Sequence, residues 1–264
     1  MRYRLLHIIP LLAALLLAAC TAETEQPATA RGTFDFGLAT DGLSAEIVTR
    51  EAHQLTDDEA AGFYVTLTQD EEVVWSHKAY STITQADRTQ PLGEGYIVMA
   101  EDITAEEAES SNSGFGARRY AGYSEPFAIK SNETKHVTVP CAMANAGLCV
   151  VFDQSFTDYF TEYAVTTDDR RALKFNAANA TTAIAYYNTD AATGTHTLPV
   201  IISASAGWDG TARLTRTLTL QTGKITRLNV KLKAEEPTGQ MGISITIDTE
   251  FTNTDENLVI DESI

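Results

Sequence analysis

Along most of this chain, apolar residues recur at every second position, and that period decides what it can become. In the stretch GTFDFGLA, Phe34, Phe36 and Leu38 share one face while Thr33 and Asp35 point away. Phe63, Val65 and Leu67 alternate in the same way. A strand has a side-chain period of two and a helix one of 3.6, so such segments suit half-buried strands. Further strands are expected over 72–78, 95–100, 125–130, 135–140, 147–152, 163–167, 181–187, 198–205, 212–220, 225–232 and 242–249. Thr, Val, Ile and Tyr dominate them, the types that fit a pleated surface. Helix signals are short. Thr56-Asp57-Asp58-Glu59 and Thr104-Ala105-Glu106-Glu107 read as capping boxes, and 155–163 sets Phe156, Tyr159 and Phe160 on one helical face. The expected fold is all-β, built of sandwiches.

The pattern repeats. PFAIKSNETKHVTVP (126–140) aligns with TLTLQTGKITRLNVK (217–231), so that Ile129, Val137 and Val139 match Leu220, Leu228 and Val230, each 91 positions on. Upstream, YIVMA (96–100) aligns with VIISA (200–204) at a spacing of 104. The extra 13 residues fall in the longer 101–120 segment of the first half. Two ordered matches, with the gap in a loop, predict tandem domains of one topology. Their boundary is expected near Ala142-Met143-Ala144-Asn145, giving a first sandwich over 32–143 and a second over 144–264.

The amino terminus has a different character. Arg2 and Arg4 precede an apolar run from Leu5 to Ala19, fifteen residues long and interrupted by His7 and Pro10. A bilayer-spanning helix needs about 20 residues. A basic start, a short apolar run and small residues at its end describe a secretory signal. Leu17-Ala18-Ala19-Cys20 further resembles a bacterial lipobox, in which the chain is cut before Cys20 and the cysteine is acylated. Residues 1–19 are then a lipoprotein signal peptide, and 20–31 a flexible, polar tether. Two acyl chains suffice to hold a protein on a bilayer. The other reading is a plain signal peptide with an incidental cysteine.

Without the leader, 17 basic residues face 36 acidic ones, a net charge of −19. With no basic footprint, nucleic acid and anionic membrane surfaces are poor partners. Two cysteines remain, Cys141 and Cys149, with seven residues between them, and they read as packed thiols or as a bridge. There is no Gly-x-Ser-x-Gly elbow and no P-loop, and no cofactor motif. His53, His77, His136 and His196 are scattered, which predicts neither a triad nor a metal site. Residues 248–257 are oxygen-rich but lack the spacing of a calcium loop, and read as a strand end and a polar turn. Trp75, inside a strand, is expected to pack. No catalytic residues are assigned.

Two segments offer contact surfaces. ITAEEAESSNSGFGARRYAGY (103–123) is acidic, then Ser/Gly-rich, then basic and aromatic. It reads either as a contact loop using Phe115, Tyr120 and Tyr123 or as a solvated insertion. Trp208 stands at the tip of SAGWDGT, placed either to stack on a sugar or to cover the end of a core.

The lipobox, GTFDFGLATDG followed by EIVTR, the joining segment VTVPCAMANAGLCVVF and the closing GISITID together resemble the fimbrillin-like lipoproteins of Bacteroidales, in particular the domain of unknown function 4493 family. The resemblance spans most of 32–250 and rests on loose β patterns. It implies two transthyretin-like or Greek-key β-sandwiches, lipid-anchored in the outer membrane at the cell surface, serving adhesion or pilus assembly without catalysis. It also implies a cut after Arg50, in Val48-Thr49-Arg50, with the lost first strand replaced by a strand of a homologous subunit. GISITIDTEF (242–251) is the expected donor. The alternative is a glycan-binding surface lipoprotein for polysaccharide capture, with Trp208, Tyr120 and Tyr123 as ligand contacts on a glycan or host surface.

Overall fold

A computed structural model describes residues 30–40, 53–206, 211–234, 241–249 and 252–258. Leu17, Ala18, Ala19, Cys20, Arg50 and Trp208 lie outside these residues. The chain is all-β. Its first half runs β1 (Arg31–Thr40), β2 (His53–Gln54), α1 (Asp57–Ala60), β3 (Tyr64–Gln69), β4 (Glu72–Ala79), β5 (Thr89–Pro91), β6 (Gly93–Glu101), α2 (Ala105–Ser110), β7 (Tyr120–Tyr123), β8 (Phe127–Ile129) and β9 (Thr134–Met143). These strands form one nine-stranded sheet in the order β2-β1-β9-β7-β6-β3-β4, with β5 on β1 and β8 on β6.

Period two does the work that the sequence predicts. Along β1, Phe34, Phe36 and Leu38 are buried, while Thr33, Asp35 and Gly37 are partly exposed. With Val65, Leu67, Tyr96, Val98, Ile129 and Val139 they make the first core. Each such side chain removed from water contributes about 1.5–3 kcal/mol. Thr56 and Thr104 cap α1 and α2 with complete capping boxes, Glu59 and Glu107 answering at the third position.

The second half runs β10 (Ala146–Phe152), α3 (Gln154–Tyr159), β11 (Glu162–Thr167), β12 (Lys174–Asn176), β13 (Ile184–Tyr187), β14 (Thr195–Ser205), β15 (Thr211–Gln221), β16 (Ile225–Ala234), β17 (Met241–Thr249) and β18 (Thr252–Leu258). It forms two sheets, β13-β10-β16-β17-β18 and β12-β11-β14-β15. The core between them includes Leu148, Val150, Phe156, Phe175, Leu198, Ile202, Leu218 and Leu228.

The two halves share an unusual pairing. β1 lies parallel to β9, with Phe36 paired to Val137 and Leu38 to Val139. β10 lies parallel to β16, with Val150 paired to Leu228 and Phe152 to Val230. These are the positions that the 91-residue offset matches. The antiparallel partners correspond as well, β8 on β6 and β15 on β14. The halves differ at β7, which joins β6 to β9 and so makes one sheet of what stays two in the second half. That strand begins where the longer 101–120 segment of the first half ends. Gly122 lets it in, since a Cβ there would lie 1.9 Å from the Pro140 carbonyl oxygen.

Two sequence expectations need correction. The acidic stretch read as a polar turn carries β18 through Thr252–Leu258, paired antiparallel with β17. Main-chain bonding to the outer edge of β17 forms it, without the apolar alternation that marks other strands. The 103–123 segment is not a solvated insertion. Cys141 and Cys149 form no disulfide with each other, and burial pushes the Cys141 thiol up to about 12. Trp75 packs on the first core and donates its indole N–H to the Asp87 carbonyl at 3.3 Å.

Candidate functional site

A polar cleft of about 410 Å³ opens beside β1. Alternation turns Asp35 outward, and the parallel register sets it opposite His136 of β9. The Arg88 guanidinium donates to Asp35 Oδ1, while His136 Nδ1 lies 3.9 Å from Asp35 Oδ2. Arg88 is fixed from the backbone too, because its carbonyl accepts the Phe34 N–H at 3.0 Å. Its head group sits 5.4 Å from the Phe36 ring centroid. Its Nε is buried and finds no hydrogen-bond acceptor among the described residues.

The opposite wall comes from β2, α1 and the short 3-10 turn Tyr80–Thr82. Gln54 lies across β1 at Gly37, where a Cβ would come within 2.2 Å of the Gln54 amide nitrogen. Tyr80 packs edge-on against Phe36, with centroids 5.7 Å apart, and donates its hydroxyl to Asp57 Oδ1 at 3.3 Å. Burial, and then the Asp57 carboxylate, raise the Tyr80 phenol above its usual value, so it stays protonated and keeps donating. Asp57 is placed by the capping box of α1, in whose first turn it stands. The cleft thus gathers two carboxylates, a guanidinium, an imidazole, an amide and a phenol. Among the described residues no group of three His, Cys, Asp or Glu side chains could hold a metal ion.

The 101–124 region forms a second constellation, which clamps the two halves together. Phe115 leaves the first half and packs in the second core, edge-on to Phe175 at 5.4 Å. The Phe115 carbonyl accepts the Tyr186 N–H at 2.7 Å. Arg171, with its side chain 8 % exposed, donates to the Gly114 carbonyl at 3.0 Å and to the Tyr186 carbonyl at 2.9 Å, stacked 3.7 Å over the Tyr187 ring. Asn188 donates to the Ala105 carbonyl at 2.8 Å. Asn145, buried between the halves, accepts from the Arg119 N–H and donates to the Ala117 carbonyl.

Of the aromatics expected to touch a ligand, Tyr120 packs against the first core, with Arg118 donating to its hydroxyl at 3.2 Å. Tyr123 is 62 % exposed on β7. Neither lines the cleft, which draws on residues from Asp35 to Val137. Sequence reading missed that lining because its members are single polar residues on separate elements. The one local signal is Asp35, the outward position of an otherwise apolar strand.

Comparison with known proteins gives a family and a set of distant folds. The family described as Domain of unknown function (DUF4493) matches residues 30–262. No curated protein matches the chain. Among solved structures, a fimbrial assembly protein from Parabacteroides distasonis is similar at 11 % identity and a TM-score of 0.44, covering 83 % of this chain and 96 % of that one. A Bacteroides thetaiotaomicron structure, provisionally named for polysaccharide binding, is 8 % identical with a TM-score of 0.44, over 86 % and 99 % of the two chains. The fimbrial anchor protein Mfa2 from Porphyromonas gingivalis is 8 % identical with a TM-score of 0.32, over 81 % and 97 %.

Proposed function

The chain belongs to the DUF4493 family, and from that premise we propose that it is a fimbrillin-like surface lipoprotein acting in adhesion or fimbrial assembly rather than catalysis. In this reading Cys20 carries the acyl anchor in the outer membrane, and the expected 20–31 tether ends one residue sooner, at the start of β1 with Arg31. One observation carries the assembly part. The strand that follows the tether, β1, fills the first core with Phe34, Phe36 and Leu38 while lying parallel to β9 over eight residue pairs. Removing it would leave an apolar groove and a row of unpaired backbone groups, the situation that a strand from another subunit relieves.

Arg50 is the proposed cleavage point and 242–251 the proposed donor. In the single chain, β17 is held in its own sheet, paired with β16 from Met241 to Thr249. Donation therefore requires β17 to leave β16. A glycan-capture role through Tyr120 and Tyr123 has less support, since Tyr120 packs on the first core.

The test is N-terminal sequencing of surface-extracted protein, beside the oligomer ladders of wild type and Arg50→Ala. A new terminus at residue 51, with a ladder lost in Arg50→Ala, is the expected result. A lone acylated Cys20 terminus with both forms monomeric removes strand exchange and leaves an anchored adhesin. Normal processing and detergent partitioning in Cys20→Ser would remove the anchor.

A further inference from the structure

We propose that the cleft beside β1 binds a neutral saccharide, one or two rings presenting adjacent hydroxyl groups. This goes beyond the assembly reading and does not depend on it.

The chemistry of the lining selects the class. Asp35 and Asp57 are acceptors, and Gln54 and Arg88 bring donors to the same space. The Tyr80 hydroxyl donates to Asp57, which leaves its oxygen lone pairs to accept. A sugar hydroxyl both donates and accepts, so a pair of them suits a wall where carboxylates alternate with an amide and a guanidinium. Lipids and other apolar ligands lack groups to replace the water that these side chains would lose.

Charge argues against the obvious rivals. Two carboxylates face one guanidinium in the lining, a surplus of one negative charge before the imidazole is counted. Arg88 is already paired to Asp35. An anionic ligand reaching Arg88 would also meet the Asp35 and Asp57 carboxylates in the same lining, and like charges set side by side oppose binding. A simple amine would gain the carboxylates but leave the donors of Arg88 and Gln54 unused. Size agrees with a small ligand: about 410 Å³ lies low in the range of ligand pockets, about 300–1,000 Å³. The half-buried Tyr80 ring is the one aromatic edge at this wall, with Phe36 buried behind it, so binding would rest on hydrogen bonds rather than on stacking.

The experiment is a titration of the purified full-length chain with neutral hexoses and N-acetylhexosamines, with hexuronates as the anionic counterparts and an alkylamine as the cationic control. A neutral sugar is expected to saturate the protein with a Kd of about 1 mM or tighter, a weak constant suited to a small open site. The matching uronate should bind at least about tenfold more weakly. Gln54→Ala and Asp57→Ala, both exposed positions, should each weaken the sugar about tenfold or more while cooperative melting persists. Should Asp57→Ala fail to fold, Gln54→Ala and Asp57→Asn carry the test. The proposal is overturned if no neutral sugar saturates the wild type, or if the uronate or the amine binds more tightly. It is also overturned if the cleft variants bind like wild type, or if binding is lost in Tyr123→Ala instead. Oligomer ladders and surface termini are read on separate samples, so either idea can fail without the other.

Discussion

Asn145 Nδ2 donates to the Ala117 carbonyl at 2.8 Å, and through that bond the joint between the two halves holds the clamp region. The same amide accepts the Arg119 N–H at 3.2 Å, while the Asn145 carbonyl accepts the Gly223 N–H at 3.0 Å. One buried residue, 1 % exposed, therefore reaches the clamp and the turn between β15 and β16. Asn145→Ala leaves the Ala117 carbonyl and the Arg119 N–H without that partner, at about 2 kcal/mol. Asn145→Asp should cost more, because a carboxylate has no hydrogen to donate and its charge is buried. Urea unfolding of both variants measures this. An aspartate variant as stable as wild type would refute the assigned bonds.

Gly122→Ala tests how β7 joins the first sheet. The added methyl meets the backbone of Pro140, carbonyl oxygen at 1.9 Å and carbon at 2.6 Å, and backbone cannot swing aside as a side-chain tip does. The expected loss is about 3 kcal/mol, the upper end of overpacking. Thermal melting reads it. A shift under about 2 °C would mean that β7 and β9 are not so close.

Asp87 gives a pH dependence with a definite sign. The Lys78 ammonium, and then the Thr84 N–H and hydroxyl, donate to its carboxylate and hold its pKa at about 2, against 3.8 ordinarily. The folded value lies below the unfolded one, so the stabilisation is complete above the unfolded value and is lost as pH falls through the folded one. The pair stands near solvent, with Lys78 36 % exposed, so screening reduces its contribution to about 1 kcal/mol. Asp87→Asn should lose about that much at pH 7, and its gap to wild type should close between about pH 4 and pH 2. A gap unchanged down to pH 2 would show that the carboxylate charge is not its source.

How much of this was readable in advance depended on locality. β1, β3 and β6 show their alternation within a few residues, and α1 and α2 show their caps within four. β7 does not, because Tyr120-Ala121-Gly122-Tyr123 is too short to display a period and is selected by the fit of Gly122 against Pro140. β18 is invisible for a related reason, since pairing to a neighbour forms it. The cleft is further from view. Asp35 and His136 are 101 positions apart and meet because β1 runs parallel to β9, a register that no local motif encodes. The clamp was half visible: the extra length of 101–120 pointed to an inserted segment, but the Phe115 socket beside Phe175 required the second core to be assembled.

That socket bears on whether the second half folds alone. Among the described residues, every buried member of its core lies between Ala146 and Val230, and Phe115 is the one hydrophobic side chain packed against that core from upstream of residue 146. A chain of residues 146–264 should therefore keep a cooperative transition, because it retains its own buried apolar surface. It should be less stable than the same half in the full chain. Phe175 loses its edge-on partner, Arg171 loses the Gly114 carbonyl, and Tyr186 loses the Phe115 carbonyl for its N–H. An aromatic contact is worth about 0.5–1.5 kcal/mol beyond its buried area, and each lost hydrogen bond about 1 kcal/mol. Phe115→Ala in the full chain removes the ring and keeps the backbone bonds, so it should fall between the two. Calorimetry of the full chain, the Phe115→Ala variant and the isolated half should give midpoints in that descending order. An isolated half with no cooperative transition would mean that the clamp is part of the second fold, and that the repeat does not mark independently folding units.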